Sequence, residues 1–136
     1  MVSDNIYYSK ELMRRFRNPK NYGEIKNADG IGKVGNVKCG DVMWLYIKVK
    51  DNKIDKIKFK TFGCPAAISV SDMVCDLAKG KIISEAKKIT NKLIAKKLKG
   101  LPPIKIHCSM LGEEALHAAI EDYEKKIVKK WNRKKI

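Results

Sequence analysis

Asp41-Val-Met-Trp-Leu-Tyr-Ile-Lys-Val-Lys50, then Asp51-Asn52-Lys53, then Ile54-Asp-Lys-Ile-Lys-Phe-Lys-Thr-Phe62 is the stretch whose reading decides the fold. The first run is rich in β-branched and aromatic residues, which suit a pleated, half-buried surface. Asp-Asn-Lys between the runs is turn chemistry. In the second run Ile57 and Phe59 alternate with Lys56, Lys58 and Lys60, so one face is buried and the other is wet. Two such runs joined by a short turn form an antiparallel hairpin. Upstream, Lys20 to Gly35 is rich in Gly and Asn and reads as a loop, and Val34 to Cys39 offers a third antiparallel strand.

Downstream the periodicity changes. Gly63-Cys64-Pro65 ends the sheet, and Ala66 to Lys79 reads as a helix with Pro65 in its first turn. Ala67, Val70, Val74 and Leu77 make its apolar stripe, and Gly80 closes it. Ser84 to Lys88 and Thr90 to Lys99 read as short helical segments. Leu101-Pro102-Pro103 then imposes an extended entry toward His107-Cys108. Ser109 is the expected N-cap of a last helix running to about Lys130, with Leu116, Ile120, Tyr123 and Ile127 on one face. At the start, residues 5–17 read as a helix with Tyr8, Leu12 and Phe16 on one face, stopped by Asn18-Pro19. The fold class is α+β: a small three-stranded antiparallel sheet packed against helices. One domain is expected over 1–136, with a basic tail from about 129 that frays.

Bulk properties narrow the function. A chain of 136 residues can bury a core without disulfide staples, and no apolar run approaches the roughly 20 residues that span a bilayer. Met1 to Lys10 carries neither a signal-peptide core nor a transit pattern, so a cytoplasmic location is expected. The cysteines at 39, 64, 75 and 108 form no Cys-x-x-Cys pair and read as reduced thiols. Net charge is +15, and residues 81–136 hold 15 basic against 6 acidic side chains. Those lysines fall mostly on the polar side of helical patterns, and no aromatic-interleaved RNA-binding pattern or helix-turn-helix accompanies them. Nucleic acid is therefore disfavoured against a solvated surface or an acidic protein partner.

Three cysteines stand apart by their setting. Cys39, Cys64 and Cys108 fall at element edges, His107 precedes Cys108, and Asp41 follows Cys39 by two. Cys64, at a helix start, is placed to favour its thiolate. If tertiary folding brings these groups together they make a metal site. Cys₃His suits structural zinc, thiolate-rich sites also hold iron–sulfur clusters, and spacing does not separate the two. Cys75 lies inside a helix beside its apolar stripe and reads as structural.

Six motifs in register carry a resemblance. They are Cys39-Gly-Asp-Val-Met43, Phe59-Lys-Thr-Phe-Gly-Cys64 with Ala66-Ala-Ile68, Lys79-Gly-Lys81, Ser84-Glu-Ala86, Leu101-Pro-Pro-Ile-Lys-Ile-His-Cys-Ser109, and Tyr8-Ser9 with Asn18-Pro-Lys-Asn21 and Gly23. Over Tyr8 to Tyr123 the chain resembles the IscU/NifU-type iron–sulfur cluster assembly scaffolds. The resemblance implies an α+β fold of the IscU/SufE-like kind. It implies Cys39, Cys64 and Cys108 as cluster ligands, with Asp41 or His107 as the fourth, and Cys108 as acceptor of persulfide sulfur from a cysteine desulfurase. It further implies iron, electrons from a donor such as a ferredoxin, a [2Fe–2S] cluster built and passed to carriers or apo-acceptor proteins, and no enzymatic turnover of its own. The family's aspartate is associated with cluster lability. Leu101, Pro102, Pro103, Ile104 and Lys105 match a segment read by a specialised chaperone, with Ile104 in place of Val. Lys105 is also placed to lower a neighbouring thiolate's pKa. Pro65, Asp72 and Cys75 depart from the family pattern. Monomer and cluster-bridged homodimer both stay open.

The main rival is a zinc-binding sulfur-acceptor protein of the same superfamily. Those proteins carry an insertion between the second and third cysteines and lack the histidine. Here 42 residues separate Cys64 from His107, and the histidine is present. Zinc remains an expected occupant of the apo form. A stand-alone cysteine enzyme would need a general base, and only His107 offers one.

Overall fold

The computed structural model describes residues 8–36, 41–102 and 105–134. Cys39, Pro103 and Ile104, and the end of the expected strand at 37–39, lie outside the described residues. The elements in chain order are α1 (Lys10–Arg17), β1 (Gly30–Asn36), β2 (Asp41–Lys50), β3 (Lys53–Phe62), α2 (Pro65–Ala78), α3 (Ile83–Ala86), α4 (Asn91–Lys97) and α5 (Ile106–Lys134). The sheet is antiparallel in the order β1-β2-β3. The chain is thus α+β, with helices packed on a three-stranded sheet.

The hairpin forms where the alternation places it. Asp51 and Asn52 both take positive φ (53° and 63°), the two-residue geometry whose twist matches the flanking strands. On β2, Asp41, Met43, Leu45 and Ile47 are buried. On β3 the same face holds Ile57, Phe59 and Thr61, and a register shift at Lys48/Val49 brings Ile54 to it as well. The lysine face of β3 stays outside, where Lys33 lies over the Trp44 ring and Trp44 packs edge-on against Phe62.

Strand β1 is longer toward the N-terminus than its sequence suggests, covering 30–35, which reads as loop. Glycine has low strand propensity, but here it serves contact. A Cβ on Gly32 would stand 2.3 Å from the Ala115 carbonyl and 2.6 Å from the Ala119 nitrogen. The backbone of α5 therefore lies directly on β1, an approach only glycine allows.

Helix α2 is the centre of the molecule. Ala66, Ala67, Val70, Met73, Val74, Cys75 and Ala78 are buried, and so are Ser69, Ser71 and Asp72. Burial all round marks a helix with neighbours on every side: β3, α1, α5 and α4. Its buried polar residues are satisfied by hydrogen bonds. Ser69 Oγ donates to the Leu12 carbonyl at 2.6 Å, and Ser71 Oγ to the Ala67 carbonyl at 2.8 Å. Gly80, at φ 82°, ends the run and donates to the Ile54 carbonyl at 2.7 Å.

Three local expectations are corrected. Helix α1 starts at Lys10, because Ser9 caps it by accepting from the Leu12 N–H at 3.0 Å. Its buried residues are Leu12 and Arg15, with Phe16 only partly covered. Arg15 goes inward because Asp72, an outlier against the family pattern, waits there. The guanidinium lies 2.8 Å from Asp72, 2.6 Å from Asp76 and 2.8 Å from Glu11, and Asn21 donates to both aspartates. Finally, α5 continues through the basic tail to Lys134 rather than fraying near Lys129, since Lys and Arg are good helix formers. No helix among the described residues is long and apolar enough to cross a membrane.

Removing one partner of a buried ion pair leaves the other charge uncompensated. Asp72→Ala is expected to lower urea-unfolding stability by about 3 kcal/mol, the low end of that effect, since Arg15 keeps two carboxylates. Burial pushes the Asp76 carboxyl up, but hydrogen bonds from Asn21 and Arg15 outweigh it and hold it below its usual 3.8. A depressed pKa adds stability above the unfolded value that is lost as pH falls through the folded one. The stability difference between wild type and Asp76→Asn should therefore be full near neutrality and shrink below about pH 4. A difference that grows on acidification would contradict the assignment.

Candidate functional site

Three elements end at one place. Asp41 opens β2, Cys64 is the N-cap of α2, and His107 and Cys108 are the second and third residues of α5. Ser109 does not cap α5. The helix begins three residues earlier, and the Ser109 hydroxyl donates back to the Ile106 carbonyl at 2.7 Å from inside the first turn. Pro102 is buried, and its carbonyl accepts from the Lys105 N–H at 2.8 Å, one residue before α5 begins. His107 and Cys108 thus sit on a helix start rather than on an extended approach.

Cys108 is the hub. Its Sγ lies 3.8 Å from Cys64 Sγ, 3.8 Å from Asp41 Oδ2 and 3.5 Å from His107 Nε2. His107 Nε2 is in turn 3.6 Å from Asp41 Oδ2. The ligand atoms of Asp41, His107 and Cys108 all fall within 4.8 Å of one another. Sulfur, imidazole nitrogen and carboxylate oxygen at that separation are donors that one metal could draw together. Cys108 and Asp41 are buried, while Cys64 and His107 are part-exposed, so the group opens to solvent on one side.

The two thiols differ in charge state. Cys64 is pulled down to about 5, first by the hydrogen bond from Cys108, then against the cost of burial by the Ala67 N–H and the Lys105 ammonium. The Cys108 thiol is pushed up by the same bond, by burial and by the nearby charges of Cys64 and Asp41. The pair therefore keeps one proton on the buried sulfur and a thiolate on the accessible one. Both sulfurs stand at helix N-termini, where free N–H groups and the helix dipole favour negative charge.

Of the residues singled out in the sequence, the fold brings together Asp41, Cys64, His107 and Cys108, with Lys105 beside Cys64. Leu101 is partly buried against the core and Pro102 is buried, while Pro103 and Ile104 of the expected partner-binding segment lie outside the described residues. Cys75 lies in the core of α2, away from this group, its thiol pushed well up by burial. Tyr8 is a neighbour that periodicity missed. It precedes α1 rather than lying on its stripe, and burial first, then the Cys64 charge, raises its hydroxyl's pKa. Phe62, Ile106 and Met110, close in sequence to the site residues, are exposed apolar side chains.

An α+β sheet-and-helix domain that gathers thiols, an imidazole and a carboxylate at its element ends presents a donor set suited to soft or borderline metals. More narrowly, the chain belongs to the NifU-like N terminal domain family, which matches residues 7–130. It is 56% identical over 119 residues to iron–sulfur cluster assembly scaffold protein IscU 1 of Archaeoglobus fulgidus, covering 88% of this chain and 78% of that protein. To the scaffold protein IscU of Aquifex aeolicus it is 48% identical over 118 residues, covering 85% and 75%. In fold it is similar to a solved nitrogen-fixing NifU-like protein (N-terminal) of Brucella abortus, with TM-score 0.71, 18% identity and coverage of 90% and 97%.

Peptide-resolved alkylation of the metal-free protein checks the charge assignment. With iodoacetamide, Cys64 should react with a rate that rises through about pH 5 and is flat by neutrality, while Cys75 stays inert until the protein unfolds. Lys105→Ala should move the Cys64 inflection upward, because an ammonium that stabilises the thiolate has been removed. An unmoved inflection would remove Lys105 from the site's electrostatics.

Proposed function

We propose that this chain is a scaffold for iron–sulfur cluster assembly, folded as one domain over 1–136 and working in a reducing compartment such as the cytoplasm. The observation that carries the proposal is the meeting of Asp41, Cys64, His107 and Cys108 in a chain 56% identical to a protein named as such a scaffold. The unpaired state of Cys64, Cys75 and Cys108 fits a reducing setting.

In this reading the cluster is cargo. Cys39, Cys64 and Cys108 supply thiolates, and Asp41 or His107 completes the set. Sulfur arrives as a persulfide on a cysteine desulfurase. The Cys108 sulfur attacks the outer sulfur of that persulfide, forming a new S–S bond as the persulfide's own S–S bond breaks, and the desulfurase cysteine leaves as a thiolate. Cys108 holds the proton in the resting pair, so that proton must first pass to Cys64 across the 3.8 Å contact. Each sulfane sulfur then needs two electrons to become sulfide: for two sulfurs, two of the four come from the two iron(II) ions as they become iron(III) in the oxidised cluster, and two from a reduced donor such as a ferredoxin. Iron(II) enters at the part-exposed side formed by Cys64 and His107. The finished [2Fe–2S] cluster passes to a carrier or apo-acceptor protein, and a chaperone acting on Leu101 to Lys105 would pull on the turn that leads into Cys108. The chain turns over no substrate; it holds and hands on. Zinc(II) suits the same donors and would occupy the apo form.

Anaerobic reconstitution with a cysteine desulfurase, cysteine and ferrous iron tests this. A visible [2Fe–2S] chromophore is expected, lost in Cys39→Ala, Cys64→Ala and Cys108→Ala and kept in Cys75→Ala. Tight binding of one zinc with no cluster under any reductant would instead favour a zinc-dependent sulfur acceptor. Asp41→Ala should lengthen the cluster's lifetime several-fold toward a chelator, because a weak oxygen donor competing at the site is gone; a shortened lifetime would make Asp41 a retaining ligand.

A further inference from the structure

Gly63 stands between the last residue of β3 and the N-cap of α2. Its φ lies outside the left-handed range, so the backbone there is open to other residues and the glycine is not required by conformation. It is required by space. A Cβ at this position would stand 2.5 Å from Asp41 Oδ1, 3.1 Å from Asp41 Cγ and 3.0 Å from the Ala67 Cβ.

The ladder explains the proximity. Val42 pairs with Phe62, so the next position along carries Asp41 opposite Gly63. On its other side Asp41 pairs with Asn36, which fixes its backbone. The side chain is buried, with one carboxylate oxygen against Gly63 and the other 3.8 Å from the Cys108 sulfur and 3.6 Å from the His107 ring. The carboxylate fills the gap between the glycine and the two helix residues.

We propose that Gly63 is the positioning residue for Asp41: its missing side chain is the slot that lets the carboxylate reach the Cys108–His107 pair, and so sets how long the site keeps its cargo. This rests on the scaffold reading and on Asp41's labilising role within it. Real Cβ contacts essentially never fall under 3.0 Å, so a methyl group here must displace the carboxylate by about half an ångström or more. Metal–oxygen ligation tolerates about 0.2 Å. A single methylene, carrying no charge and touching no sulfur, should therefore act on the cluster like loss of the aspartate.

A double-mutant cycle of wild type, Gly63→Ala, Asp41→Ala and the double variant tests it, read in two ways. One readout is cluster lifetime after reconstitution. The other is zinc affinity of the metal-free protein by competition with a chromophoric chelator. Gly63→Ala is expected to reproduce the lifetime increase of Asp41→Ala and to weaken zinc about tenfold, with no further change when both are present. If Asp41→Ala has an effect that Gly63→Ala lacks, or if Gly63→Ala acts equally in the Asp41→Ala background, Gly63 does not work through Asp41 and the proposal falls. If Asp41→Ala itself changes neither readout, the reading of Asp41 fails first, and the proposal with it. Folding is followed by urea unfolding. Should Gly63→Ala unfold the protein, recovery of the fold by added Asp41→Ala supports the clash with the carboxylate, and failure to recover overturns it.

Discussion

The first turns of two helices bring their sulfurs together, and most of the molecule exists to hold them so. Helix α2 is buried on every side, and α5 rests its backbone on the glycine face of β1. Neither can slide without losing core contacts, and so the sulfur at the α2 N-cap and the sulfur in the first turn of α5 are held 3.8 Å apart. Two thiolates at that distance repel, yet both stand where helix ends favour negative charge. The compromise is a shared proton: thiol on the buried sulfur, thiolate on the open one. A cation bound at the open side would meet a thiolate already charged and would offset the cost of the second deprotonation.

Rigidity behind the site and openness in front of it are different properties here. Behind, Arg15, Asp72, Asp76, Asn21 and Glu11 tie α1 and the segment before β1 to the outer side of α2. Every described buried polar side-chain atom has a hydrogen-bond partner. Such a network is costly to break and geometrically specific. In front, the donors are of three kinds, and only some are sulfur. Four thiolates would suit a soft metal alone; a carboxylate and an imidazole beside the thiols make the donor set mixed. Phe62, two residues before Cys64, and Ile106 and Met110, flanking His107 and Cys108 on α5, are exposed apolar side chains.

Much of this was legible beforehand. The β2–β3 hairpin follows from alternation and from Asp51-Asn52, since a period of two and a short polar turn have few other solutions. The extent of α2 follows from Pro65 and Gly80. The residues of the site were legible because thiols at element edges differ from a thiol on an apolar stripe, which is where Cys75 lies. Family motifs then set the order. What misled was local chemistry overruled at a distance. Glycines at 30–35 read as loop, yet α5 makes them a strand. Ser109 reads as a cap, yet α5 begins sooner, at Ile106. The first helix reads as packing on Tyr8, Leu12 and Phe16, yet a carboxylate on another helix draws Arg15 in.

By itself, then, the sequence determined which elements exist and which side chains could bear the chemistry, because propensity, periodicity and donor identity are properties of neighbours along the chain. Tertiary structure decided the rest. It chose which sulfur keeps the proton, since that depends on burial and on Lys105 and Asp41 arriving from elsewhere. It placed Tyr8 near the thiols, partly buried Leu101 and buried Pro102. It also gave Gly63 its meaning, because an absent side chain matters only when another strand's carboxylate needs the room.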